Sequence, residues 1–247
     1  MLLTVDIGNT NITFGIFREE KIIRRFDIST RGYNSKRLKA QLGKNRLESC
    51  IFCSVVPRLN KILERDLKKL SCGRIYIVGR DIKVPIKNLY CKPKQVGQDR
   101  LVNAYAVSSL YGSPAIVVDF GTAITFDIIS KNKEYLGGMI LPGLQISLDA
   151  LSEKTALLPK IKLARPKEFI GKDTKNSLLS GVIYGFAALS DGLIERIKAV
   201  TGKKAKVIGT GGNIALMAKF CRRINKIDRD LTLKGLRLIY KNEGKVF

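Results

Sequence analysis

The chain has 247 residues, 45% of them hydrophobic, enough to bury a substantial core as one large or two medium domains. It contains no histidine, which removes a Ser-His-Asp triad and leaves acid–base work to Asp, Glu, Lys, Tyr or Cys. The net charge of +24 favours anionic ligands, but the basic residues are interleaved with acids along the whole chain, as in Lys61 to Lys69, so a solvated surface explains them at least as well as a nucleic-acid partner.

Leu2, Leu3, Val5 and Ile7 predict a buried strand, Gly8-Asn9-Thr10-Asn11 a tight turn, and Ile12 to Phe17 the returning strand. Lys21 to Ile28 reads as a third, partly exposed strand and Ser35 to Leu42 as a helix. Leu47 to Val56 is a buried strand stopped by Pro57, after which Leu59, Ile62, Leu63, Leu67 and Leu70 recur at helical spacing. Cys50 and Cys53 lie three apart on that strand and so face opposite ways. With no histidine and no second C-x-x-C, they make a poor metal or disulfide pair. Ile75 to Gly79 is a further short strand, Val84 to Lys94 a Pro-punctuated connection, and Gly97 to Arg100 opens a helix through Leu110. Three antiparallel strands followed by alternating helix and strand predict an α/β domain of ribonuclease-H-like topology over residues 1–113.

The second half, 114–247, starts again on the same plan. Val117-Val118-Asp119-Phe120-Gly121-Thr122-Ala123 repeats the Asp-tipped hairpin with one residue fewer in the turn. Tyr135 to Gly143 is a glycine-rich strand and loop entering the helix Leu144 to Leu151. Thr174 to Lys198 predicts a long amphipathic helix, in which Gly181 and Gly185 weaken the helix and so mark a face where another helix or a partner subunit packs closely. Val207 to Asn213 is a buried strand with a glycine-rich turn opening the helix Ile214 to Phe220. With no run of about 18 uncharged apolar residues, no membrane span is expected. The scattered, odd-numbered cysteines and the lack of a basic leader point to a cytoplasmic protein.

Backbone amides in the Gly8–Asn11 turn can cradle an anion, yet the adjacent Asp6 would repel a phosphate unless a divalent cation lay between them. This combination suits a metal-bound nucleotide. Two Asp-tipped hairpins half a chain apart, followed by Gly209-Thr-Gly-Gly, suit one nucleotide cleft between two domains.

In their order, Asp6-Ile-Gly-Asn-Thr-Asn, Asp119-Phe-Gly-Thr-Ala and Gly209-Thr-Gly-Gly resemble the two phosphate motifs and the adenosine motif of the actin, Hsp70 and sugar-kinase superfamily. Within it, Tyr90-x-x-Pro93, Gly97-Gln98-Asp99-Arg100, Gly137 to Gly143, Gly171-Lys172-Asp173-Thr174 and the tail Leu231 to Leu236 are similar to type III pantothenate kinase over almost the whole chain. The resemblance implies that Asp6, Ile7, Gly8, Asn9, Thr10, Asn11, Ile12 and Thr13 bind the ATP phosphates with their Mg²⁺, and that Thr122 contacts ATP from the second hairpin. It further implies that Asp119 holds a monovalent cation, K⁺ or NH₄⁺, that Asp99 is the general base, and that Tyr90, Gly97, Gln98 and Arg100 line the pantothenate pocket. Thr174 would complete that pocket from the partner subunit of a homodimer. The expected reaction is ATP-dependent phosphorylation of pantothenate. Two alternatives stay open at this point: another small-molecule kinase of the same superfamily, and a basic regulatory or nucleic-acid-associated homologue without kinase activity.

Overall fold

The structure is a computed structural model that describes residues 1–43 and 45–243. The backbone folds into two compact units: Met1–Ala106 together with the C-terminal segment from Asp230 onward, and Val107–Arg229. The sequence boundary at 113/114 therefore differs from the structural one at both ends. The change lies mainly with the C-terminal helix, which belongs to the first unit.

In the first unit, β1 (Leu2–Ile7), β2 (Asn11–Arg18), β3 (Lys21–Ser29), β4 (Ser49–Ser54) and β5 (Arg74–Ile77) form one sheet in the order β3-β2-β1-β4-β5. The first three strands are antiparallel, and β4 and β5 extend the sheet in parallel with β1. Leu3, Val5 and Ile7 all point to one face, where they meet α1 (Ser35–Leu42) and α2 (Pro57–Lys69) through Leu38, Leu63 and Leu67. Pro57 at the first helical position of α2 fits a site whose amide has no helical acceptor. Cys50 lies in that core, whereas Cys53 lies in the cluster on the opposite face, as their spacing demands. Among the described residues every cysteine is a free thiol. A two-residue strand β6 (Lys87–Asn88) follows, and α3 (Gln98–Tyr111) starts immediately after Gly97.

The second unit holds β7 (Ala115–Phe120), β8 (Ala123–Ile129), β9 (Glu134–Pro142), β10 (Lys206–Thr210) and β11 (Lys226–Ile227), ordered β11-β10-β7-β8-β9. Ile116, Val118, Phe120, Ile124 and Phe126 pack against α4 (Leu144–Lys154), α5 (Thr174–Thr201) and α6 (Ile214–Met217). By length and composition α5 is apolar enough to cross a bilayer, although its sequence is broken by charged residues. Leu179, Ile183, Ile194 and Ile197 nevertheless sit in the core of this unit. Both units thus carry an antiparallel three-strand start extended by parallel strands, the ribonuclease-H-like plan expected from the sequence.

The last helix, α7 (Leu231–Glu243), returns to the first unit, where Leu236 and Ile239 bury against Ile51, Cys53 and Val102. A Cβ on Gly235 would stand 2.8 Å from the Val102 carbonyl, so glycine permits α7 to cross α3 this closely. Leu236→Ala is expected to lower stability by about 2–5 kcal/mol in urea unfolding, the usual range for a fully buried leucine. A midpoint equal to the parent's would show that α7 is not part of this core.

Candidate active site

Asp6 occupies the last turnward position of β1 whose side chain leaves the α1/α2 core. The register aligns Cys53, Asp6, Thr13 and Asp27 in one row across β4, β1, β2 and β3. Side chains opposite one another in register share a face, so these four line the same side of the sheet. The Cys53 thiol lies 3.5 Å from Asp6 Oδ1 and donates to it. Ile7 and Ile12 are fully buried in the opposite core, so only their backbone faces the turn. Gly8, Asn9, Thr10 and Asn11 form the turn itself, closed by Gly8 N donating to Asn11 O at 3.0 Å. Asn9, Thr10 and Asn11 are exposed.

Asp99 stands in the first turn of α3, where the helix dipole favours a carboxylate. Its Oδ1 accepts from the Arg100 amide at 2.8 Å. A Cβ on Gly97 would lie 2.5 Å from that same oxygen, so glycine leaves the carboxylate the room it occupies. Burial pushes the Asp99 carboxyl upward. Burial, followed by the charge of Asp99, raises Asp6 to about 7. Within the first unit the charge of Asp99, the expected base, therefore acts on the Asp6 carboxyl.

Tyr90 is half-buried, its amide donating to Asn88 Oδ1 at 3.0 Å, and Arg100 is buried. Gln98 has a structural role that its sequence position did not reveal. Its side chain packs on Gly79, where an added Cβ would come 2.9 Å from Gln98 Cδ and where φ is +87°.

In the second unit the Asp119 hairpin is built by close backbone approaches. A Cβ on Gly143 would fall 1.9 Å from Thr122 O, and one on Gly211 would fall 2.2 Å from Asp119 Oδ1. Asn213 N donates to Phe120 O at 3.0 Å, tying the glycine-rich turn after β10 to the second hairpin. Gly212 faces open space, while Gly209 is crowded by Ile214 and so relieves helix packing. Thr122 is exposed at the tip. Thr174 begins α5, on a different element from this hairpin. It is exposed beside Asp173, whose side chain caps the helix by accepting from Asn176 N at 2.8 Å.

The donors present suit hard cations. Among the described residues no group of three or more His, Cys, Asp or Glu could cage a metal. Mg²⁺ does not require such a cage, since it binds through one or two carboxylates together with the phosphates of its nucleotide. Asp6 beside Asp99 is a pair of like charges that a divalent cation would offset. Asp119 is a single carboxylate set against the glycine backbone of two turns, where added Cβ atoms on Gly121 and Gly211 would lie 3.1 and 2.2 Å from its Oδ1.

Residues 2–196 match the sequence profile of the type III pantothenate kinase family. A protein of Finegoldia magna named type III pantothenate kinase is 42% identical over 252 residues, covering 97% of this chain and 96% of its own. The crystal structure of a Baf family transcriptional activator from Campylobacter jejuni superposes with a TM-score of 0.62 at 23% identity, over 98% of this chain and 99% of that one. A 2-dehydro-3-deoxygalactonokinase structure from Sinorhizobium meliloti superposes with a TM-score of 0.56 at 14% identity, over 98% and 99%. At those identities the two structures speak for the fold.

Because Asp6 is raised in the folded chain and ordinary in the unfolded one, its burial costs stability only where it ionises. That cost is absent below about pH 4 and complete above about pH 7. Asp6→Asn is therefore expected to unfold at higher denaturant than the parent at pH 8 in the absence of metal and nucleotide, the gap closing toward pH 4. A gap that does not change with pH would contradict the burial of that charge.

Proposed function

The chain belongs to the type III pantothenate kinase family, and from that premise we propose how its residues divide the work. The reaction is the ATP-dependent phosphorylation of pantothenate to 4′-phosphopantothenate, the first step of coenzyme A biosynthesis.

The observation that carries the assignment is that strand register and the start of α3 place Asp6 and Asp99 in one unit, with the charge of Asp99 acting on the Asp6 carboxyl. Asp6 and the amides of the turn through Thr13 hold the ATP phosphates, and Thr122 contacts ATP from the second hairpin. Asp99 accepts the proton of the pantothenate hydroxyl as its oxygen forms a bond to the γ-phosphorus and the bond to the β–γ bridging oxygen breaks, releasing ADP. A bound Mg²⁺ at Asp6 and a K⁺ or NH₄⁺ at Asp119 would supply charge neutralisation at the phosphates. The transition state of phosphoryl transfer is loose, so alignment and electrostatics contribute more than the base. Arg100, beside Asp99, suits the pantothenate carboxylate because a guanidinium binds carboxylates in a fork. Tyr90, Gly97 and Gln98 shape the same pocket, Gln98 through its packing on Gly79.

The working unit is a homodimer. Support comes from α5, where added Cβ atoms on Gly181, Gly185 and Gly192 would meet nothing within 4 Å. An apolar groove of about 840 Å³ between α4 and α5 runs past Leu151, Leu178, Gly181 and Leu189. Glycines cost a helix stability, and the close packing of a second copy of α5 would offset that cost. Thr174, at the start of the same helix, would then enter the pantothenate pocket of the partner subunit. Five free thiols agree with a reducing, cytoplasmic setting.

ADP release coupled to pantothenate, in the presence of Mg²⁺ and K⁺, tests the activity. Asp99→Asn is expected to lower kcat by about 10²-fold or more while MgATP binding stays nearly intact. Activity retained in that variant would remove Asp99 from the role of base. Gly185→Trp is expected to sediment as a monomer with a raised KM for pantothenate. A dimer with the parent's KM would place the interface elsewhere.

A further inference from the structure

We propose that Thr30 is a positioning residue for the phosphate turn, holding two of its carbonyls inward so that the turn's amides face the nucleotide. This role rests on Asp6 to Thr13 being the phosphate site. Thr30 follows directly on β3, one position past the last β2–β3 pair, Asn11 with Ser29. From there it makes two hydrogen bonds to a turn about twenty residues earlier. Its Oγ1 donates to Gly8 O at 2.7 Å and its amide donates to Thr10 O at 2.9 Å. Only 4% of Thr30 is exposed, whereas the tip residues Asn9 and Thr10 lie in solvent.

Peptide planarity turns these two bonds into an orienting device. In a trans peptide the C=O of one residue and the N–H of the next point in opposite directions. Fixing the Gly8 carbonyl toward Thr30 therefore aims the Asn9 amide away from it, and fixing the Thr10 carbonyl does the same for the Asn11 amide. Among the described residues the Asn9 amide donates to no backbone carbonyl. Gly8 itself is held by its own bond to Asn11 O. Without the Thr30 hydroxyl, the Gly8–Asn9 plane loses its side-chain anchor and can rotate, and a glycine on one side of that plane leaves little to resist it.

The test compares Thr30→Val, which keeps the side-chain shape and removes the donor, with Thr30→Ser, which keeps the donor. Affinity for MgATP is read by calorimetry and KM for each substrate by steady-state assay. Thr30→Val is expected to weaken MgATP by about 5- to 30-fold, the worth of one anchoring hydrogen bond, with KM for pantothenate unchanged. Thr30→Ser is expected to restore the parent's affinity. Thr30→Ala, carried in parallel, gives the same comparison should the valine variant fold poorly. Donor-less variants that bind MgATP like the parent would overturn the proposal. So would variants that lose both substrates equally and are not rescued by serine, since that pattern belongs to general unfolding. A parent that itself binds no MgATP would instead remove the phosphate-turn reading on which the proposal stands.

Discussion

Two carboxylates held near each other in a partly desolvated place set the terms for the rest of the first unit. Asp6 is fixed between β2 and β4 by strand register, and Asp99 is fixed by the start of α3. Sheet and helix hydrogen bonds hold both backbones in place. Burial and mutual repulsion leave the Asp6 carboxyl reluctant to ionise. In the proposed reading, a cation accompanied by phosphate would relieve that tension. The same two anchors keep Asp99 near the Asp6 turn, the arrangement that the proposed transfer requires.

Around this pair the chain uses glycine where backbones must touch. Gly97 makes room for Asp99 Oδ1, and Gly143 and Gly211 let two turns close on the Asp119 hairpin. Each would clash with even one added carbon, so these glycines are set by contact. Gly181 and Gly185 are the opposite case. Among the described residues an added Cβ at either would meet nothing within 4 Å, so no contact of that kind sets them.

Much of this was legible in the sequence because the signals were local. The strand entering Asp6, its repeat at Asp119 and the helix opening at Gly97 are short-range patterns, and the structure forms the corresponding elements within a few residues. The parity of Cys50 and Cys53 followed from strand geometry alone. What stayed hidden depends on contacts between distant segments. Nothing near Thr30 marks it as a partner of Gly8, and Cys53 meets Asp6 only because β4 pairs in parallel with β1. The tail from Leu231 carried family-like residues, but its return to the first unit is a tertiary choice, made by burying Leu236 and Ile239 on Val102 and Ile51. The packing of Gln98 on Gly79 joins segments about twenty residues apart, and no local pattern announces it.

Whether the backbone of the Asp6 turn receives the phosphates of ATP is tested most directly by amide hydrogen exchange, followed with and without a non-hydrolysable MgATP analogue. Peptides spanning residues 7–13 are expected to gain the largest protection, accompanied by those around Thr122, with little change along α1 and α2. Saturating analogue that leaves the exchange of residues 7–13 unchanged would contradict the account.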